Sequence, residues 1–348
     1  LTSKIPVKEK RLINENIAEG KTKIIIGTHA VFQEAVTYKD LSLVIYDEQH
    51  RFGVSQRLKL KEKAEDYPHQ LLLSATPIPR TMAMGVLSGL DISTIKSLPP
   101  NRTPIVTTTL PNNRRDALIT RIKSAISKNS QVYWVCPLID ESESELTGIE
   151  DLEKILKKEF NSQDYKIIHG KMKDTDKQRI LSDFKDKKTK ILLATTVIEV
   201  GIDVPDANIM VIENSERFGL AQLHQLRGRV GRGEKESFCI LMHSDSLTEL
   251  GEKRLQIITA TNDGFIIAEE DLKLRGPGDI LGLSQTGQPS FTFFDLLANE
   301  ELQKEAERLA HEVIKLPVEQ QRKIVERWFP AHLEPVSYTH LRAHETVE

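Results

Sequence analysis

Cysteine is nearly absent. Cys136 and Cys239 are the two thiols in 348 residues, far apart and outside any CxxC or histidine-rich spacing. This excludes a disulfide framework and supports no zinc site, so the expectation is two buried free thiols in a cytoplasmic protein. Long apolar runs are also missing. None approaches the roughly 18 residues that a membrane-spanning helix needs, and no membrane partner is expected. Nor is there a surplus of charge: 48 Lys and Arg stand against 51 Asp and Glu, a net of −3. Bulk charge therefore does not announce a nucleic-acid binder, and any basic surface has to be local. The chain opens at Leu1, with no charged leader before an apolar stretch. No secretory signal is read there, and the chain is expected to be a fragment whose beginning is missing.

What is present suffices for folding. Apolar residues make up 39% and charged residues 28% of the chain, enough for ordinary cores in roughly two domains of about 150 residues each. The C-terminal end is unusual. Residues 336–346 read VSYTHLRAHET, which resembles the in-frame translation of a transposase-type sequencing adapter. On that reading the biological chain stops near Pro335, and residues 336–348 are left out of fold reasoning as any scar would be. The i,i+4 pair His340 and His344 then carries no metal-site meaning.

Short apolar runs alternate with amphipathic stretches, the pattern of α/β proteins with parallel sheets. Residues 23–26 (KIII), 43–46 (LVIY), 71–74 (LLLS), 132–136 (VYWVC), 167–168, 191–194 (ILLA), 210–212 and 237–241 read as strands. Helical patterns occupy residues 8–19, 113–128, 149–160 and 176–185. One unit is used twice. TKIIIGT at 22–28 matches TKILLAT at 189–195, each preceded by a charged amphipathic helix. Each is also followed, after a similar gap, by Asp and a second apolar strand, DLSLVI at 40–45 and DANIMVI at 206–212. The expectation is a duplicated α/β domain, with a linker near residues 98–109 where PPNRTP cannot continue a helix. From Ser244 onward the chain turns helix-forming and charge-rich, broken by Arg275-Gly276-Pro277-Gly278, with closing helices at 300–315 and 317–328.

Candidate chemistry sits at the strand ends. The run LVIY leads straight into Asp47-Glu48-Gln49-His50, placing two carboxylates at the carboxyl edge where α/β sheets bind ligands. In nucleotide hydrolysis such a pair divides the work: Asp47 holds Mg²⁺ through water, and Glu48 orients or deprotonates the attacking water. Ser74 and Thr76, in SATPIPRT after the next strand, offer hydroxyls to the carboxylate loop. Downstream, QLRGRVGRG spaces Arg229 and Arg232 by three residues. On a helix that spacing gives one face, from which both guanidiniums reach a phosphate. With TTVIEVGIDVP at 195–205 the set becomes specific.

These blocks, in this order, resemble motifs Ib, II, III, V and VI of superfamily-two helicases. The runs DEQHRFGVSQR, SATPIPRT, IENSERFGLAQLHQLRGRVGRG and AEEDLKLRGPGDILGLSQTGQPSF together look like the RecG family of DNA helicases, over residues 1 to about 335. The last run resembles the TRG motif, a helical hairpin and loop that the transcription-repair coupling factor shares.

The resemblance implies tandem RecA-like parallel-sheet domains, the first one incomplete and covering residues 1–108, the second 109–244. A TRG-type hairpin with C-terminal helices then fills 245–335. It implies ATP and Mg²⁺ as cofactors, with Gln225, Arg229 and Arg232 joining Asp47 and Glu48 in catalysis, and Gly201 and Asp203 joining them at the nucleotide. Thr28, His29, Thr195 and Thr196, at equivalent places in the two copies, would grip DNA phosphates. Ser74, Thr76, Arg254, Arg275 and Gln285 would couple hydrolysis to movement. Branched DNA is the implied substrate, with a single-stranded-DNA-binding protein as a partner of a cytoplasmic monomer.

A hydrolase of this type needs GxxxxGK[ST] between a strand and a helix. Gly20-Lys21-Thr22 is a decoy, because position 15 is Glu and the helix here comes before the strand. The true loop and an OB-type wedge domain are expected upstream, so the fragment itself is expected to be inactive. The alternatives are a coupling-factor translocase, which carries related blocks, and a non-catalytic nucleic-acid-binding module. An RNA helicase is a third, disfavoured by the TRG-like tail.

Overall fold

The structure, a computed structural model, describes residues 1–2, 5–48, 60, 63–64, 68–74, 91–95, 97, 103–137, 147–195, 204, 206–233, 235–275 and 300–328. Thr76, Thr196, Gly201, Asp203, Gln285 and the adapter-like tail lie outside the described residues. The chain divides into two compact units, Leu1–Pro77 and Ile78–Glu348.

The second unit is built on a six-stranded parallel sheet. Its strands are β3 (Ile105–Pro111), β4 (Gln131–Val135), β5 (Tyr165–Ile168), β6 (Ile191–Ala194), β7 (Ala207–Ile212) and β8 (Ser237–His243), in the order β3-β8-β7-β4-β6-β5. The helices between them are α2 (Arg115–Ser127), α3 (Thr147–Glu159), α4 (Asp174–Lys185) and α5 (Leu220–Arg227). Strands β4, β6 and β7 are buried at every position, as expected of parallel strands covered on both faces. The two-residue period sorts their side chains. Tyr133, Val135, Leu192 and Met210 face a core shared with Phe184 of α4 and Leu223 of α5. Val132, Trp134, Leu193 and Val211 face the opposite core with Leu118 and Ile122 of α2 and Leu156 of α3. Burying a side chain such as Phe184 or Leu193 fully stabilises the fold by about 1.5–3 kcal/mol. At the amino edge of β4, the Gln131 amide donates to Phe184 O at 2.6 Å, in the last turn of α4, and to Thr189 O at 2.9 Å, just ahead of β6.

Two expectations are corrected here. The second half of the expected linker is strand β3, paired in register with β8 from Ile105↔Ser237 to Pro111↔His243. A domain boundary at 108/109 therefore cuts a strand. The run IVTTTLP is rich in β-branched residues, and its prolines stand outside it or at its last position, where no further ladder bond is needed.

Beyond the sheet, α6 (Glu249–Ala260) and α7 (Gly264–Arg275) pack with α5 through Leu255, Ile258 and Ile267. Thr248 caps α6 by accepting from Gly251 N at 3.1 Å, and Asp263 accepts from Phe265 N at 2.8 Å at the start of α7. Helices α8 (Glu300–Ile314) and α9 (Val318–Trp328) are joined by a short turn, where the Gln321 amide donates to Ile314 O and Leu316 O. This terminal pair and its bounds match the expected closing helices within one residue.

The first unit holds α1 (Val7–Ala18) and two parallel strands, β1 (Leu43–Tyr46) and β2 (His69–Leu72). Helix α1 stops at Gly20, whose φ of +73° is the left-handed turn that glycine adopts freely. Phe32, Val44, Tyr46 and Leu60 form a small core. The second correction falls in this unit. Residues 23–26 form no strand, and Ile24 and Ile26 are more than 80% exposed. A ladder needs a neighbour. Among the described residues the backbone here meets Leu1, whose amino group donates to Ile26 O and whose carbonyl accepts from Thr28 N.

Candidate functional site

The carboxylates stand where the strand pattern put them. Asp47 and Glu48 follow β1 directly, Asp47 exposed and Glu48 half-buried. Glu48 has φ +53°, a conformation that costs a residue with a Cβ about 1–3 kcal/mol and that clusters at functional sites. Strand β2 runs parallel with Tyr46 opposite Leu72, so Ser74 stands at the same carboxyl edge as Glu48. Among the described residues no three metal-binding side chains converge. One exposed carboxylate at a strand end nevertheless fits Mg²⁺, which takes one or two carboxylates and draws its other ligands from phosphates and water. Thr28 and His29 lie in the same unit, exposed, at the start of the 3-10 turn His29–Phe32.

In the second unit, Leu220, Leu223 and Leu226 bury one face of α5. The half-buried Gln225 rides on this helix. The helix ends at Arg227, however, and the expected helical face for Arg229 and Arg232 does not form. Both lie on the turn that follows. Gly231, between them, has φ +77°, which helical backbone does not allow. Arg229 is half-buried and Arg232 exposed, its Nε donating to Gly228 O at 3.5 Å. Two guanidiniums on a glycine-hinged turn can approach an anion by bending the turn.

Thr195 falls just beyond β6 as expected, but it is fully buried, with its backbone N–H on Ile168 O at 3.3 Å. Its hydroxyl is thus withheld from a surface contact, whereas Thr28 is open. The two copies differ at the places that the repeat made equivalent. Arg254 lies on α6, half-buried with an enclosed Nε, and Arg275 is the last residue of α7.

Two polar clusters escaped the sequence reading. Glu213, just past β7 and 5% exposed, accepts from both Nη atoms of Arg115, at 2.5 and 2.8 Å, and from Trp134 Nε1 at 2.8 Å. Arg227 is 2% exposed and donates to Ile258 O and Thr261 O, both at 2.8 Å. Burial pulls its guanidinium below the ordinary arginine value, against the raising influence of the Cys239 thiol. Burial in turn pushes Cys239 up to about 12. Arg115 and Glu213 are 98 positions apart, and nothing local in the sequence links them. Arg227 sits among neighbouring arginines that look alike in sequence, and burial alone sets it apart.

Comparison with known proteins agrees with this architecture. Residues 2–84 match the DEAD/DEAH box helicase family, residues 113–234 the helicase conserved C-terminal domain, and residues 261–321 the family described as ATP-dependent DNA helicase RecG, domain 3, C-terminal. The ATP-dependent DNA helicase RecG of Escherichia coli K12 is 48% identical over 321 residues, 91% of this chain and 46% of that protein. Its counterpart in Pasteurella multocida is 47% identical over 333 residues, 94% of this chain and 48% of that protein. The chain thus spans about half the length of the curated relatives it matches. A solved structure of RecG bound to a three-way DNA junction is 40% identical and covers 87% of this chain and 39% of the solved one, with a TM-score of 0.65. The Mycobacterium smegmatis helicase Lhr, 18% identical with a TM-score of 0.53 over 74% of this chain and 36% of its own, shares the fold. Two helicase-type α/β segments, a helical module that the RecG domain description matches, and near-half identity across nine-tenths of the chain lead to one assignment: over the part of their length that it spans, this chain belongs to the RecG family.

Proposed function

We propose that the chain is the motor portion of an ATP-dependent DNA helicase that remodels branched DNA such as stalled forks, Holliday junctions and R-loops. The observation that carries this is the carboxylate pair Asp47-Glu48 at the carboxyl edge of β1, with Glu48 held in the left-handed region, in a chain whose relatives are named ATP-dependent DNA helicase. Asp47 would hold the magnesium ion of MgATP, and Glu48 would orient the attacking water and take its proton. When bound, the ion neutralises phosphate charge. Gly201 and Asp203 contact the nucleotide, and Gln225 joins the carboxylates in catalysis. Arg229 and Arg232 meet the charge that develops on the transferred phosphoryl group. Thr28, His29 and Thr196 hold DNA phosphates, a contact that positions the strand without reading bases; Thr195, buried with its N–H on Ile168 O, is left out of that grip.

Ser74, Thr76, Arg254, Arg275 and Gln285 couple hydrolysis to translocation. The 348 residues contain no GxxxxGK[ST] loop, so the chain by itself hydrolyses ATP poorly and relies on sequence outside it for the phosphate cradle. The domain limits follow the same reading with the second lobe beginning at β3, and the TRG-type module comes after β8. A cytoplasmic monomer that meets single-stranded-DNA-binding protein at forks completes it.

The test uses the protein at the length of its relatives, with three-way-junction DNA. Asp47→Asn and Glu48→Gln should each lower junction-stimulated ATP hydrolysis by about 10²–10⁴-fold, and Arg229→Ala by about 10³-fold, with junction binding retained. Variants that hydrolyse ATP at the parental rate would overturn the assignment.

A further inference from the structure

The repeat reaches further than its strands. With Asp40 laid on Asp206, YDEQHRFG at 46–53 falls on IENSERFG at 212–219, ending in the same Arg-Phe-Gly. Asp47 then corresponds to Glu213, and Glu48 to Asn214. The backbone repeats as well. Each acid directly follows a parallel strand, β1 in the first unit and β7 in the second. Each of those strands pairs with the next one along the chain, β2 or β8. Each second residue is left-handed, Glu48 with φ +53° and Asn214 with φ +44°. The other non-glycine residues of positive φ among the described residues, Asn129 and Lys187, stand just past helix ends, where that conformation is routine.

What fills the two places differs. Asp47 is exposed, whereas Glu213 is enclosed and faces a cation that the chain itself supplies. Arg115 Nη1 and Nη2 donate to Glu213 Oε1 and Oε2 at 2.5 and 2.8 Å, and Nη2 also donates to Asn112 Oδ1 at 3.4 Å. The guanidinium thus sits among three side-chain oxygens at the carboxyl edge of the sheet, where α/β folds bind ligands. Hard divalent cations take such a set, a carboxylate and an amide oxygen, with water completing the shell. The Trp134 indole also donates to Oε1, at 2.8 Å. Two donors on Oε1 and one on Oε2 leave little of the carboxylate for a metal while the arginine is in place. Asn214, standing where the first unit has Glu48, offers no carboxylate to take a proton from water.

We propose that the carboxyl edge of β7 is a closed cation site, in which the Arg115 guanidinium stands where, on the function proposed above, the first unit holds Mg²⁺. Its permanent charge neutralises Glu213 without any metal, through a planar fork that matches the carboxylate. The left-handed turn at Asn214 is the trace of the duplicated unit. The second unit thereby binds no divalent cation at this place, and removing the guanidinium turns Glu213 and Asn112 into ligands for one. The comparison with Asp47 rests on the motor reading. The oxygen-lined site at Glu213 does not.

The experiment uses the 348-residue chain with Trp328→Phe, which leaves Trp134 as its one indole. This parent is compared with Arg115→Ala, Arg115→Gln, and the double change Arg115→Ala with Glu213→Gln. Tb³⁺, a hard cation that emits when an excited indole lies beside it, is the first probe, and Mg²⁺ is the second. Arg115→Ala should gain Trp134-sensitised Tb³⁺ emission that the parent and the double change lack. Saturating Mg²⁺ should raise the unfolding temperature of Arg115→Ala, followed by Trp134 fluorescence, by about 4 °C or more, and that of the parent by less than about 1 °C. Should Arg115→Ala not fold, Arg115→Gln, which keeps a neutral donor near the carboxylate, is judged by the same two signals. Equal emission from every chain, emission that survives Glu213→Gln, or no emission from either single variant overturns the proposal and leaves a structural ion pair. Hydrolysis separates this outcome from the motor assignment. If Asp47→Asn at the relatives' length keeps the parental ATPase rate, the cation role of Asp47 falls, while Tb³⁺ emission still decides the site at Glu213.

Discussion

At the scale of single residues, buried polar groups decide more than their number suggests. The Glu213 carboxylate is saturated by the two Nη atoms of Arg115 and the indole N–H of Trp134, and it joins the end of β7 to the start of α2 and to β4. Glu213→Ala strands a guanidinium and an indole N–H, and should destabilise the second unit by about 3–5 kcal/mol. The double change Arg115→Met with Glu213→Leu should cost clearly less than the sum of the single changes, because it removes both charges together. Urea unfolding of the four variants measures this, and strict additivity would refute a coupled pair.

The thiols follow the same logic in reverse. Cys239 is fully enclosed, and burial moves it from 9.0 to about 12. A thiol raised in the folded state keeps its proton there after the unfolded chain has lost it. Its contribution is therefore complete below pH 9 and falls as pH climbs from 9 toward 12. Neither Cys239 nor the equally buried Cys136 should react with a disulfide reagent at pH 8 until denaturant is added. A native-state reaction would show that the cores open readily.

At the scale of elements, caps and turns carry the machinery. Gly231 combines φ +77° with a close approach to Ile105. Gly231→Ala adds left-handed strain of about 1–2 kcal/mol and pushes the turn away from β3. It should lower stability by that amount and reduce nucleotide hydrolysis through misplaced Arg229 and Arg232. Gly228→Ala, at a position with φ −65° and neighbours at 3.4 Å, should be far milder, and the ratio of the two effects is the readout. Thr248 offers a parallel case at the start of α6. Its hydroxyl accepts from Gly251 N, so Thr248→Ala should cost about 1 kcal/mol and Thr248→Ser much less, as seen in the midpoint of chemical denaturation.

At the scale of the whole molecule, the two units are unequal. The second has a six-stranded sheet buried on both faces of its central strands. The first has a two-stranded sheet with Val44 and Tyr46 turned inward and Leu43, Ile45, Leu71 and Leu73 exposed on the open face. Two strands with one exposed face are marginal in water, and edges that find no paired strand among the described residues invite association. Thermal unfolding of the 348-residue chain should therefore show two transitions, the amides of β1 and β2 exchanging before those of β4, β6 and β7. One cooperative transition with uniform exchange would contradict this.

Much of this was legible from the sequence alone. Apolar runs bounded by polar residues marked β1, β4, β6 and β8 within about two residues, because a buried parallel strand can hardly be written otherwise. Asp47 and Glu48 were legible for a related reason, since a strand that ends in charge places that charge at the sheet's edge. The family was legible because DEQHRFGVSQR, SATPIPRT, IENSERFGLAQLHQLRGRVGRG and AEEDLKLRGPGDILGLSQTGQPSF stand together in one chain. Only the tertiary structure could show that residues 105–111 pair with β8, that residues 23–26 have no strand partner among the described residues, and that Arg227 is the enclosed arginine while Arg232 is exposed. Pairing and burial depend on what arrives from far along the chain. No local pattern holds the 98-residue meeting of Arg115 with Glu213 or the closure of α5 on α6.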